Sequence, residues 1–256
     1  MSSPRYPFLD HDGPIAFAHR GGAAGGMENS MAAFQRAVEL GYRYLETDVH
    51  ATADGVLLAF HDRTLNRVTD GRGRVGRMPY DRLARVRIGG TEPIPLLEDL
   101  LGAWPDVRVN IDVKDAAAVG PLIEVIRRTG AVDRMCVASF SSRRVQAVRA
   151  VIGPRLCTSI GIRDVLRLRT ASYVPWLRAV APKGIPCVQV PAVARRVALV
   201  DQRFVETAHA FGMHVHVWTV DEPDEMRRVL DLGVDGVMTD RLEQLRSVLE
   251  ERGAWA

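Results

Sequence analysis

From Ile15 onward the chain alternates short apolar runs with amphipathic stretches, and this rhythm narrows the fold more than any other feature. Strand-like runs begin near Ile15, Tyr44, Val107, Met135, Leu156, Cys187, His214 and Gly236. Most are followed by a helical stretch with its own punctuation. Asn29 or Ser30 caps a helix over Met31–Leu40 that Gly41 ends, and Gly212 and Gly233 stop later helices. Alternating strands and helices require a parallel sheet covered by helices. Eight such units in 256 residues predict an α/β fold closed as a (β/α)8 TIM barrel, although an open doubly wound sheet has the same periodicity. The polar, Gly-rich segment 63–95 breaks the rhythm after the second strand. It reads as a small inserted lid or subdomain within one domain spanning 1–256.

The second unit, Tyr44 to Asp62, is predicted to be a strand, a tight turn and a returning strand. Asp54-Gly55 is a strong signal for a two-residue type I′ turn. Centring the hairpin there sets Asp48 opposite His61 and Val49 opposite Phe60. Glu46 and Asp48 share a face, because strand side chains alternate. A solvated polar face is the bland alternative for this patch.

Composition mainly excludes. Hydrophobic content of 47% and charged content of 25% are those of a globular protein, and a mass of 28.3 kDa allows a large core. The net charge is +3, and no Lys/Arg block interleaves with aromatics, so nucleic-acid binding is not expected. Cys136, Cys157 and Cys187 are widely spaced and odd in number. They read as buried free thiols, with neither metal nor disulfide expected, in a reducing and therefore cytoplasmic setting. There is no apolar stretch of membrane-spanning length and no signal-peptide pattern. Basic residues are almost all Arg, Lys114 and Lys183 being the lysines.

In such a barrel, chemistry collects at the C-terminal ends of the strands. His19 and Arg20 end the first strand, Glu46 and Asp48 the second, and Asp112 and Lys114 the third. A salt-bridged pair is the structural alternative for Asp112 and Lys114. Three carboxylates in one mouth repel by roughly 4 kcal/mol per pair at 4 Å and an effective dielectric of 20. A shifted pKa or a bound cation must relieve this. All-oxygen ligation suits Mg²⁺ or Ca²⁺, with Mn²⁺ a further candidate. Cation, Arg20 and Lys114 together suit an anionic substrate such as a phosphate, leaving His19 and His61 for proton transfer.

The strings AHRGG…ENS, LETDVHATADGVLLAFHDRTLNRVTDGRGRVG, NIDVK, SF, HVWTVD and DGVMTD, from Ile15 to Asp240, resemble the glycerophosphodiester phosphodiesterase family. That resemblance implies a phosphatidylinositol-phospholipase-C-like barrel with an insertion after the HD motif. It also implies a small-molecule substrate, hydrolysed in a metal-dependent reaction to sn-glycerol 3-phosphate and an alcohol. Carried over by position, His19 and His61 are the acid/base pair, Glu46, Asp48 and Asp112 hold one divalent metal, and Arg20 and Lys114 bind phosphate. Glu28 and Asn29 match the EN[ST] element, with helix capping the alternative for Asn29. Phe140 and Trp218 match aromatic positions near the pocket, with core packing the alternative for both. Asp112 departs from the usual Glu and is one methylene shorter, so the metal would sit nearer the third strand or be reached through water. The D-x-K arrangement also resembles sphingomyelinase D-like enzymes, so phospholipase D-type action on lysophospholipids is the second reading. A non-catalytic phosphate-binding barrel is the third. The sequence does not set the oligomeric state.

Overall fold

The computed structural model describes residues 6–23, 26–180, 182–194 and 197–255. Its centre is a ring of eight parallel strands. In chain order these are β1 (Ile15–His19), β2 (Tyr44–Ala51), β3 (Arg108–Val113), β4 (Met135–Ala138), β5 (Cys157–Thr158), β6 (Cys187–Pro191), β7 (His214–Trp218) and β8 (Gly236–Thr239). Each strand pairs with its neighbours in sequence order, and β8 pairs back onto β1. Between β5 and β6 the ring is closed by one parallel bridge, Ser159 to Cys187, and by the Ile160 N–H donating to the Cys187 carbonyl at 3.3 Å. The predicted closed barrel is therefore present. Among the described residues, no helix is long and apolar enough to cross a membrane.

The layers follow from strand alternation. Leu45, Val49, Val109, Ile111, Val113, Val137, Val215, Val217 and Val237 face outward and pack in the large core beneath the helices. Inward positions at the N-terminal end of the ring form a second core of Ile15, Phe17, Tyr44, the three cysteines and Met238, which Tyr6 and Phe8 close from below. Inward positions at the C-terminal end are polar. Helix Met31–Glu39 begins where Ser30, not Asn29, caps it: the Ser30 hydroxyl accepts the Ala33 N–H at 3.1 Å.

The hairpin departs from its expected register by one residue. Val49 pairs with Ala59 and His50 with Leu58, so Asp48 stands opposite Phe60 rather than His61. The cause is the turn. Thr52 and Val56 close a three-residue loop through the Thr52 N–H and Val56 carbonyl at 2.9 Å. Only Gly55 in that loop is left-handed, at φ 83°, whereas a type I′ turn would need Asp54 there as well. The return strand ends at Ala59, and His61 reaches the mouth from the loop beyond it.

Segment 63–95 leaves the barrel at this point. Leu65, Val75, Leu83, Ile88 and Ile94 form a small core with Leu58 and Phe60. It contains one helical turn, Tyr80–Leu83, and a two-residue ladder, Arg87–Ile88 with Glu92–Pro93.

Two glycines separate backbone strain from crowding. A Cβ on Gly55 meets nothing within 4 Å, so Gly55→Ala should cost about 1 kcal/mol from its left-handed backbone alone. Gly21 combines φ 79° with a Cβ position 2.9 Å from the Ala33 and Phe34 backbone, so Gly21→Ala should cost distinctly more. Urea unfolding of both variants checks the order; equal losses would contradict it.

Candidate active site

The mouth of the barrel is built around a directly paired position. Asp48 on β2 and Asp112 on β3 are register partners, so their side chains leave neighbouring backbones on one face. The Lys114 ammonium lies 2.7 Å from Asp48 Oδ1 and donates to Asp112 Oδ2 at 2.6 Å. Arg20 Nε lies 3.0 Å from Asp48 Oδ2, and Asn29 Nδ2 donates to the same oxygen at 3.2 Å. Burial alone would raise the Asp48 pKa, but Lys114 and Arg20 outweigh it and hold the group below its ordinary value. Asp112 goes the other way: burial raises it despite Lys114. Its Oδ1 is buried and accepts no hydrogen bond from the described residues.

Glu46 is 4% exposed, two residues along the same face. Burial, and then the charge of Asp48, push its pKa up to about 7. It accepts the Arg20 backbone N–H at 3.2 Å. That N–H is aimed at Glu46 because Arg20 takes a left-handed φ of 53°, where the chain turns sharply out of β1. The Arg20 side chain bridges Asp48 and Glu28, donating to Glu28 Oε1 at 3.0 Å.

The two candidate histidines share one design. His19 Nδ1 is 2.7 Å from Asp240 Oδ1, and His61 Nδ1 is 2.6 Å from Asp62 Oδ1. A carboxylate on Nδ1 fixes the ring and leaves Nε2 for other work. His19 Nε2 lies 3.8 Å from Glu46. Their environments differ. Burial disfavours the charged form of His19, but Glu46 and Asp240 outweigh it and its pKa is raised. For His61, burial prevails, with help from the Arg20 and Lys114 charges, and the pKa is lowered.

The remaining expected residues also gather here. Glu28 is buried and clasped by Arg20 and by Arg67, whose Nη1 and Nη2 donate to it at 2.7 and 2.6 Å. Arg67 also donates from Nε to Asp62 at 2.7 Å, and that bond is the main reason the Asp62 pKa falls to about 2. Asn29 is 1% exposed and accepts the Thr47 hydroxyl at 2.7 Å while holding Asp48, so its position is a site contact rather than a helix cap. Phe140 is 53% exposed on the rim, edge-on to half-buried Trp218 at 5.8 Å and 6.0 Å from the Lys114 ammonium. Phe140 is therefore not core, whereas Trp218 both touches it and packs against the inner apolar cluster.

Sequence reasoning assigned no role to Asp62, Arg67, Asp115 or Asp240. Asp62 and Asp240 carried a readable signal, one adjacent to His61 and the other ending the last strand. His50 and Asp115 carried less. His50 is buried, with Nδ1 2.6 Å from Asp115 and Nε2 3.0 Å from the His61 carbonyl, so it secures the chain that carries His61.

A profile of the Glycerophosphoryl diester phosphodiesterase family matches residues 19–244. The chain is 44% identical to a probable glycerophosphodiester phosphodiesterase 2 of Mycobacterium tuberculosis, over 99% of this chain and 97% of that protein. It is 27% identical to the lysophospholipase D GDPD1 of Homo sapiens, over 93% of this chain and 86% of that one. Its fold matches an Oleispira antarctica phosphodiesterase solved with the product sn-glycerol-3-phosphate, at a TM-score of 0.79 and 20% identity, covering 93% and 97% of the two chains. With a family profile spanning nearly all of the barrel and so close a full-length relative, the chain belongs to the glycerophosphoryl diester phosphodiesterase family, a family of hydrolases.

Proposed function

We propose that this enzyme hydrolyses glycerophosphodiesters to sn-glycerol 3-phosphate and an alcohol, using one divalent cation and proton transfer by His19 and His61. The observation that carries the reading is the pair of imidazoles, each anchored through Nδ1 by its own carboxylate, beside one patch of Glu46, Asp48, Asp112, Arg20 and Lys114. The product complex of the Oleispira antarctica relative supports the same substrate class.

The carboxylates fit a hard cation. Asp112 Oδ1 is buried without a partner, and Glu46 is strained toward protonation by burial and by Asp48. The donors are all oxygen, as Mg²⁺, Ca²⁺ or Mn²⁺ prefers. Glu46, Asp48 and Asp112 would hold the ion, which when bound would offset the negative charge that builds on the phosphate oxygens. Arg20 and Lys114 bind and orient the phosphate from beside it. Asn29 and Thr47 keep Asp48 turned toward the patch, and Glu28 holds Arg20 in line. His61, whose environment favours the neutral ring, removes the proton from the attacking oxygen. His19, whose environment favours the charged ring, delivers one to the departing alkoxide. The attacking oxygen is water, or it is the neighbouring glycerol hydroxyl, in which case the alcohol leaves first and water then opens the resulting cyclic phosphate to sn-glycerol 3-phosphate.

A second reading, action on lysophospholipids, is favoured by one feature. Exposed Phe140 and Ile162 stand together on the rim, joined by the Ile162 N–H to Phe140 carbonyl bond at 3.2 Å, and exposed Leu166 lies one helical turn beyond. They could receive an acyl chain. The human relative is a lysophospholipase D.

His19→Ala and His61→Ala should each lower kcat by at least about 10²-fold while the fold persists, the usual scale for losing a proton-transfer group. Steady-state kinetics with circular dichroism checks this, and unchanged rates in either variant would refute the roles. EDTA should abolish turnover and excess Mg²⁺ or Mn²⁺ restore it. Because Glu46 must lose its proton to ligate, apparent cation affinity should fall roughly tenfold per unit as pH drops below about 7. Metal titrations of activity at pH 6 and pH 8 read this directly. Side-by-side assays on glycerophosphocholine and lysophosphatidylcholine separate the two substrate readings. A Phe140→Ala change that raises KM for the second substrate alone would support the acyl-chain contact.

A further inference from the structure

At the end of the barrel opposite the histidines, three sulfur atoms converge. Cys136 and Cys157 are register partners on β4 and β5, and the bridge that closes the ring sets Cys187 beside Ser159. All three thiols are free and buried. Their sulfurs lie within 4.8 Å of one another, with Cys136 Sγ and Cys187 Sγ 3.8 Å apart. The thiols are free and buried, as the sequence suggested, and ring closure brings together positions that are remote along the chain. Three sulfurs bound at about 2.3 Å to one ion would themselves stand roughly 3.8–4.0 Å apart. The one pair at 3.8 Å already matches that spacing, and the others lie within 4.8 Å.

Its surroundings also suit a soft ion. The apolar residues packed in the same cluster are Tyr6, Phe8, Ile15, Phe17, Tyr44 and Met238. Two guanidinium groups flank this shell and offset thiolate charge. Arg149 donates to the Thr158 hydroxyl at 3.2 Å and to the Tyr6 hydroxyl at 3.3 Å, and Arg108 donates to the Tyr44 hydroxyl at 2.5 Å. His216 is fully buried nearby, and its Nε2 has no hydrogen-bond partner among the described residues. Gln189 ties it to the cluster, its Nε2 lying 3.3 Å from His216 Nδ1 and 3.9 Å from Cys136 Sγ. A cleft of about 350 Å³ opens at the floor between Tyr6, Leu9, Pro186, Phe211 and half-exposed His214. Pro186 precedes Cys187, and Tyr6 packs in the same cluster as the cysteines.

We propose that the barrel floor binds one Cu(I) ion through the sulfurs of Cys136, Cys157 and Cys187. Soft thiolates in an apolar shell select such an ion over Mg²⁺ or Ca²⁺. Zn²⁺ would ask for a fourth ligand, and neither ring nitrogen of His216 joins the group of atoms within 4.8 Å. The three-sulfur set is complete for a three-coordinate ion.

Anaerobic titration of the purified protein with Cu(I), in competition with bathocuproine disulfonate, tests this. One equivalent should be retained. Cys157→Ala and Cys187→Ala should each weaken retention at least 100-fold, with phosphodiesterase activity and circular dichroism unchanged, since neither residue touches the mouth. His216→Ala should retain the ion. X-ray absorption on the loaded wild-type protein needs no variant and should show a shell of three sulfurs without nitrogen. Failure to retain an equivalent, equal retention by the cysteine variants, or a nitrogen in the shell would each overturn the assignment.

Discussion

The in-register pairing of Asp48 with Asp112 across β2 and β3 is the constraint that the rest of the mouth answers. Two acids on neighbouring parallel strands leave backbones about 4.8 Å apart, inside a barrel where water screens poorly. Lys114 spans them, Arg20 and Asn29 take the far side of Asp48, and Glu46 is left with its pKa pushed up to about 7 by burial and by the charge of Asp48. Each partner is itself held. Arg20 is clasped by Glu28, Glu28 by Arg67, and Arg67 by Asp62, which in turn sets the ring of His61. One network therefore runs from the paired acids to the second histidine without leaving protein atoms.

Much of this was legible in the primary structure, for a physical reason. A parallel strand buried on both faces should be apolar throughout, so His19, Glu46, Asp48 and Asp112 stood out as costly exceptions. What stayed hidden depended on local turn geometry or on ring closure. Asp54-Gly55 announced a turn but not its length, and one additional loop residue moved Asp48 from His61 to Phe60. Asn29 and Ser30 were equivalent as caps until the backbone assigned the cap to Ser30 and turned Asn29 inward. Asp115 and Arg67 act from loops, where no periodicity tells which way a side chain points. The cysteines show the limit most plainly, since closeness in space came only from the bridge between β5 and β6.

The two ends of the barrel also differ in chemical hardness. The C-terminal end offers oxygen and imidazole, the N-terminal end sulfur inside an aromatic shell. The register of eight strands separates them by only a few residues along each strand. β4 shows this well: Cys136 lies at the floor, and Phe140, just beyond the strand, stands on the rim.

The excursion at 63–95 packs around its own small apolar cluster outside the ring of strands. Here its first turn contributes Arg67, whose guanidinium grips both Glu28 and Asp62. Evolution cannot exchange this segment for another without also renegotiating the orientation of an imidazole. A chimera that borrows a foreign insertion without this arginine would release Asp62 and Glu28 together and so loosen the ring of His61 at a distance from the exchanged residues.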